Sequence, residues 1–231
     1  MNNILGFVPV RGGSKGIPQK NLCSLAGKPL IQYTLDALNG LGDVITPFIS
    51  TEDEKIKEYC ELNGFPNDYM RPANLARDET TTIETLIDAL DWMESNSNLL
   101  LESVLLLQST SPLRTTAQIL EAIEKFKNNN YSSLVSVTPM EEHPSQCVKL
   151  DGSGWQYLEE PKNKVTRRQD YDDGYFHING AIYLAKIEQI RKHKEFVIPN
   201  VTELFLMDKK TSIDIDEMDD VIYAEYLLRN K

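Results

Sequence analysis

An apolar run, ILGFVPV at residues 4–10, passes directly into RGGSKGIPQKN at 11–21 and then into KPLIQYTLDALNGLG at 28–42. The first run is short, made largely of β-forming residues and stopped by glycines, so it reads as a buried strand of a parallel sheet. In the third stretch Leu30, Ile31, Leu35 and Leu38 recur at helical spacing, Pro29 stands where a first helical turn accepts it, and Gly40 marks the end. Strand, glycine loop and helix in this order open an α/β sheet and leave few other folds available.

The same alternation continues for roughly 130 residues. VITPFIST (44–51) predicts a second strand and DEKIKEYCELNG (53–64) a helix ending on Gly64. TTTIETLIDALDWMESN (80–96) is amphipathic, SVLLLQ (103–108) reads as a central buried strand, and TAQILEAIEKFKN (116–128) as the helix behind it. After SSLVSVTP (132–139) the rhythm changes. QCVKLDGSGWQYL carries the turn Asp151-Gly152-Ser153-Gly154 between two β-like runs, which predicts a hairpin. EEPKNKVTRRQDYDDGY is polar and aperiodic, FHINGAIYLAK (176–186) restores a strand, and SIDIDEMDDVIYAEYLLRN reads as a strand end followed by a capping helix. The expected architecture is a Rossmann-like, mostly parallel sheet flanked by helices, in one domain spanning residues 1–231. Residues 140–175 are an excursion, expected to serve as a lid or subunit contact.

Composition narrows the function. A net charge of −11 argues against nucleic acid as the main partner, since such binding rests on clustered cations. Yet residues 1–35 hold Arg11, Lys15, Lys20 and Lys28 and no acid, a local +4 against −15 in the remaining 196 residues. A small, highly charged anion fits that excess. No run approaches the ~20 apolar residues that cross a bilayer, and the N-terminus has no secretory pattern, so a cytoplasmic protein without a membrane partner is expected. Cys23, Cys60 and Cys147 have no paired spacing and are expected as free thiols. His143, His177 and His193 show no ligand spacing, and no Ser-His-Asp order stands out.

Ligands of an open parallel sheet sit beyond the carboxyl ends of its strands. RGGSKG occupies the first such loop, where glycines let backbone N–H groups approach phosphate oxygens while lysine and arginine add charge. It matches neither the dinucleotide fingerprint nor the P-loop. LLLQSTSPLR (105–114) places Gln108 at a strand end, with Arg114 either reaching phosphate or steadying the next helix. In SIDIDEMDD, Asp214 and Asp216 alternate with Ile213 and Ile215, so strand periodicity sends both carboxylates to one face, a donor pair suited to Mg²⁺. Glu217, Asp219 and Asp220 fit the start of the last helix better. The adjacent Arg167 and Arg168 either make surface ion pairs or clamp a carboxylate.

The blocks VRGGSKGIPQKN, AGKPLIQYTLDA, RPANLARDETTT, LLLQSTSPLRT, SVTPMEEHP, RRQ, NGAIYL and SIDID, in this order, make the chain resemble the acylneuraminate cytidylyltransferases over essentially its whole length. The resemblance implies an enzyme that joins CTP to a nine-carbon 2-keto acid sugar with Mg²⁺ as cofactor, and a homodimer formed through the excursion. It implies that Arg11, Gly12, Gly13, Ser14, Lys15 and Lys20 hold the triphosphate with Asn21 nearby, and that Arg71, Thr80 and Thr82 contact the cytidine. Gln108 falls at the nucleotide–sugar boundary, Arg167, Arg168, Gln169 and Asn179 at the sugar, with Arg168 or its neighbour catalytic. Asp214 and Asp216 correspond to the metal-binding aspartates. His177 stands where some sialic acid enzymes carry arginine, which leaves sialic, legionaminic and pseudaminic acids all open as acceptors. The expected chemistry is in-line attack of the sugar 2-hydroxyl on the α-phosphorus, with Asp216 near the proton and Lys20 and Arg11 on the leaving pyrophosphate. The rival readings are a nucleotidyltransferase acting on a sugar 1-phosphate or another keto-deoxy sugar, a non-catalytic nucleotide-binding protein and an NAD-dependent oxidoreductase.

Overall fold

The computed structural model describes residues 3–160 and 174–230. The chain begins with β1 (Ile4–Pro9), whose glycine loop leads through a small ribbon, β2 (Ser24–Leu25) and β3 (Lys28–Pro29), into α1 (Leu30–Leu41). There follow β4 (Thr46–Ser50), α2 (Glu54–Leu62), α3 (Thr82–Asn96), β5 (Ser103–Leu106), α4 (Thr116–Asn128) and β6 (Ser133–Pro139). The hairpin β7 (Val148–Leu150) and β8 (Trp155–Tyr157) precedes β9 (Phe176–Lys186), α5 (Ile187–His193), β10 (Glu203–Leu206) and α6 (Met218–Arg229). Among the described residues six strands form the main sheet in the order β10-β6-β9-β5-β1-β4.

The helices start where local chemistry caps them. Asp53 accepts hydrogen bonds from the Lys55 and Ile56 amides at the head of α2. Capping boxes, Thr81 with Glu84 and Thr115 with Gln118, open α3 and α4. Strand alternation then sorts the core into two layers. Ile4 and Val8 of β1 and Leu105 of β5 join the buried side chains of α1 and α4. Leu5 and Phe7, with Val104 and Leu106, face the opposite way into α3 and α5. Both faces of the central strands are therefore covered, as parallel strands require.

The sheet is mostly parallel, as expected, but β9 runs antiparallel to both of its neighbours, β5 and β6. Its reversal brings the beginning of β9, Asn179 and Gly180, to the end of the sheet where β5 and β6 finish. The register of β6 against β9 shifts between Val135 and Val137. Gly180 has φ +74° at this irregularity, a backbone state that only glycine takes without strain. Asn179 locks the bulge. It is 3 % exposed, its Oδ1 accepts from the Ser136 hydroxyl at 2.6 Å and the Ala181 amide at 3.2 Å, and its Nδ2 donates to Ser212 Oγ at 2.8 Å.

Two expectations are corrected. SIDID is not a strand, since residues 213–216 make no ladder pairing. α5 and β10 fill the stretch before it, and the short edge strand β10 pairs with β6 alone. The second strand begins at Thr46, because Gly42–Val44 forms a 3₁₀ turn. The hairpin over Asp151–Gly154 is present and, among the described residues, forms a two-stranded sheet of its own, held by the Asp151 carboxylate accepting from the Ser153 and Gly154 amides. Asn179→Ala removes the acceptor of the Ala181 amide and one partner each of the Ser136 and Ser212 hydroxyls, which keep their bonds to Ile182 and to the Asp208 carbonyl. It should lower stability by about 2–4 kcal/mol, read as a fall in Tm of roughly 5–15 °C by calorimetry.

Candidate functional site

A cleft of about 270 Å³ opens at the carboxyl ends of β1 and β5. Arg11, Gly13, Ser14, Lys20 and Asn21 from the glycine loop line one side, and Gln108, Ser109 and Thr110 line the floor. Arg71, Asp78, Thr80 and Thr82 close the other side. The sequence-expected nucleotide residues therefore converge, with two lying outside the lining set. Gly12 packs so closely on Asp53 that a Cβ there would meet its carboxylate, and Lys15 points to Asp78.

Each strut of the cleft has an identifiable partner. Asn21 is buried, donating to the Arg11 carbonyl at 2.8 Å and accepting from the Ser109 hydroxyl at 2.5 Å, so it ties the loop after β1 to the loop after β5. Arg71 is buried, and its guanidinium donates to the Ser50 hydroxyl at 3.0 Å and to the Ser50 carbonyl. Desolvation pulls the Arg71 pKa down, opposed by the Glu52 carboxylate at 3.7 Å. Glu52 also accepts the Gly12 amide at 2.8 Å, fixing the first glycine of the loop.

Arg114 resolves its two open readings: it braces rather than binds phosphate. It is 4 % exposed and donates to the carbonyls of Gln108 and Ala181 and to Thr34 Oγ1 at 2.6 Å. Burial pulls its pKa down, and the Asp214 carboxylate opposes that shift. Through these bonds one side chain joins α1, the end of β5 and the bulge in β9. The bulge matters to the cleft because a Cβ on Gly180 would stand 4.0 Å from both Asp214 Oδ2 and Gln108 Nε2. Asn179, by contrast, turns into the core with its amide engaged, so the expected sugar contact is not one this geometry offers.

The acid pair sits against the glycine loop. Lys20 Nζ donates to Asp216 Oδ1 at 3.0 Å and to the Ile215 carbonyl at 3.0 Å. A Cβ on Gly16 would collide with the Asp216 carbonyl, so glycine is required for this approach. The alternation read in the sequence survives without a strand: Ile215 is fully buried while Asp214 and Asp216 face outward. The Ile215 amide bonds the Thr110 carbonyl at 2.8 Å, anchoring the segment to the loop after β5. Asp220 accepts from the Asp216 and Glu217 amides at 2.9 and 2.8 Å, so this later acid belongs to the start of α6, as expected.

Asp214 has its pKa raised, first by the protein packed behind it and then by the Asp216 charge, with a Thr110 hydrogen bond acting the other way. These two carboxylates, next to the cleft residue Lys20, are the pair that could hold a divalent cation. Among the described residues no cluster of three or more His, Cys, Asp or Glu side chains assembles. Arg167, Arg168 and Gln169 lie outside the described residues.

The sequence did not single out Glu52 or Asp78. Asp78 Oδ1 lies 2.7 Å from Arg11 Nη1, and its Oδ2 lies 3.0 Å from Lys15 Nζ. Arg11 and Lys15 of the glycine loop therefore meet their countercharge from a distant loop. The available signal was positional, since Glu52 follows β4 at the carboxyl side of the sheet.

Backbone amides, lysine and arginine arranged around a cleft at the carboxyl ends of parallel strands are what a phosphate-bearing ligand requires, and they place the chain among α/β nucleotide-binding proteins. It belongs to the cytidylyltransferase family, whose pattern it matches over residues 5–220. It is 35 % identical over 233 residues to an N-acylneuraminate cytidylyltransferase of Streptococcus agalactiae, covering 97 % of this chain and 54 % of that protein. The chain thus spans about half the length of that relative. It is 34 % identical to a CMP-N,N'-diacetyllegionaminic acid synthase of Legionella pneumophila, covering 97 % of this chain and 96 % of that one. A pseudaminic acid cytidylyltransferase of Campylobacter jejuni is 30 % identical over the same shares. The solved structure of a CMP:2-keto-3-deoxy-manno-octonic acid synthetase complexed with CTP shares the fold, with a TM-score of 0.71 at 13 % identity over 98 % of both chains.

Gly16→Ala should force the loop off the Asp216 carbonyl and lower Tm by about 2–4 °C in calorimetry. Gly13→Ala, whose Cβ would meet nothing within 4 Å, should leave Tm unchanged and serves as the control.

Proposed function

We propose that the protein transfers the cytidylyl group of CTP to the anomeric 2-hydroxyl of a nonulosonic acid, giving the CMP-sugar and pyrophosphate. The observation that carries this reading is the contact of Lys20 with Asp216, which brings the phosphate-type loop and the acid pair to one cleft. Full-length similarity to enzymes named for legionaminic and pseudaminic acids supports the acceptor class.

In this reading the loop amides with Arg11, Lys15 and Lys20 hold the triphosphate. Arg71, Thr80 and Thr82 border the nucleoside, and Gln108 stands at its junction with the sugar. Asp214 and Asp216 would hold Mg²⁺, which supplies charge neutralisation for the α-phosphate when bound. The acceptor hydroxyl then lies near the acid pair, and Asp216 takes its proton as the oxygen attacks phosphorus. The bond to the β-phosphate oxygen breaks opposite, and Lys20 and Arg11 stabilise the charge collecting on pyrophosphate. Arg167 or Arg168 and Gln169 are assigned to the sugar carboxylate side on sequence resemblance.

The test is incubation with CTP, Mg²⁺ and a panel of sialic, legionaminic and pseudaminic acids while following pyrophosphate. Product should form with at least one acceptor and require the metal. Asp216→Ala should abolish it with the circular dichroism spectrum intact; pyrophosphate release near the parent rate would rule out the acid-pair assignment. Lys20→Ala should slow turnover by about 10²-fold or more without a comparable loss of Tm.

We also infer a homodimer built through the hairpin of β7 and β8. Leu150 is 76 % and Trp155 59 % exposed there, with Val148, Tyr157 and Leu158 also open to solvent, and such a patch favours a buried partner face. Three free cysteines and a CTP substrate fit a cytoplasmic protein. No helix among the described residues is long and apolar enough to cross a membrane. Leu150→Asp with Trp155→Lys should convert a dimer into a monomer in light scattering; a parent protein already monomeric at tens of micromolar would overturn this part.

A further inference from the structure

Among the described residues, every lysine or arginine of the glycine loop has a carboxylate partner. Arg11 and Lys15 share Asp78, one on each of its oxygens at 2.7 and 3.0 Å, while Lys20 is paired with Asp216 at 3.0 Å. The Asp78 arrangement is the more telling one. Its two oxygens bridge two cations from one phosphate-type loop, the geometry that a phosphate group would adopt there, and Asp78 itself lines the cleft.

We propose that Asp78 is an internal stand-in for the polyphosphate chain: it holds Arg11 and Lys15 in place while the cleft is empty, is displaced by triphosphate, and returns to help expel pyrophosphate. The proposal rests on the cytidylyl-transfer reading and adds to it a residue that competes with the substrate's phosphates rather than contacting them. Asp78 acts as a positioning residue through the cations it shares.

Three features support the role. First, the partners are half-open to water, with side-chain exposures of 35 % for Arg11, 78 % for Lys15 and 41 % for Asp78. Solvated ion pairs are individually weak, so a ligand carrying several charges displaces them at small cost. Second, Asp78 lies within the turn closed by the Thr80 amide on the Arg77 carbonyl, ahead of the capping box that opens α3. Its carboxylate can swing without unwinding a helix. Third, the remaining cations depend on such pairing. Without Asp78, Arg11 and Lys15 would lose the carboxylate they share and would hold pyrophosphate more tightly after the reaction.

The experiment compares the parent chain with Asp78→Asn, Asp78→Ser, Asp78→Glu and Glu79→Gln. Glu79 is exposed, is next in sequence, and has no ion pair recorded among the described residues, so it controls for loss of charge alone. Inorganic pyrophosphate binding to the full chain is measured by titration calorimetry without metal, and pyrophosphate inhibition and the KM for CTP are measured in the transfer assay. Asp78→Asn and Asp78→Ser should each bind pyrophosphate about three- to tenfold tighter, with matching increases in product inhibition and a lower KM for CTP. Asp78→Glu and Glu79→Gln should stay within about twofold of the parent, and Tm should not move, since the side chain is exposed. Equal or weaker pyrophosphate binding by Asp78→Asn and Asp78→Ser, in a parent that turns over CTP, overturns this proposal alone. A parent that neither binds pyrophosphate nor consumes CTP with any acceptor overturns the functional reading, and the proposal with it.

Discussion

The cleft depends on a small buried cluster remote from the two main core layers. Ile17 from the glycine loop, Leu25 and Leu30 after it, Leu113 beyond β5, Ile215 between the two aspartates, and Val221 and Ala224 of α6 pack together. Burial of these side chains is what brings the phosphate-type loop and the acid segment to one place, although they lie about two hundred residues apart in the chain. Hydrophobic contact is non-directional, so polar contacts set the final approach. These are the Lys20 bond to the Ile215 carbonyl, the close passage of Gly16 over Asp216, and the Thr110 bond to the Ile215 amide.

Around that cluster the site is braced mostly by buried polar residues that hold backbone rather than ligand. Arg114 gathers the end of β5 and the bulge in β9, Asn21 joins two loops, and Asn179 fixes the turn of backbone at Gly180. Leaving any of their partners unsatisfied in the interior costs far more than the net gain of a surface hydrogen bond. This explains how an open cleft with an exposed acid pair is held rigidly. It also separates two kinds of polar residue that a motif presents side by side, those that aim at the ligand and those that aim the others.

Charge organisation follows the same division. A chain of net −11 keeps its first 35 residues free of acids, and folding brings the loop's cations carboxylates from elsewhere, Asp78 to Arg11 and Lys15 and Asp216 to Lys20. The cleft keeps an excess of positive charge, with Arg11, Lys20, Arg71 and Arg77 lining it against the single acid Asp78. A multiply charged ligand gains by replacing weak, solvated internal pairs with stronger contacts to preplaced groups.

Much of this was legible in the amino-acid order. Apolar runs bounded by glycines and helical spacing of leucines reveal an α/β sheet, because strand and helix periods are local properties of the chain. The glycine loop, Gln108 and the outward pair Asp214 and Asp216 were readable for the same reason. The orientation of β9 was not, since a strand of period two looks alike in either direction, and only the pairing partners decide it. Nor was the inward turn of Asn179, the bracing role of Arg114 or the meeting of Asp78 with Arg11 and Lys15. Those rest on contacts between residues tens to hundreds of positions apart, which are settled by how the layers and the small third cluster pack, and by which buried polar groups packing leaves in need of a partner.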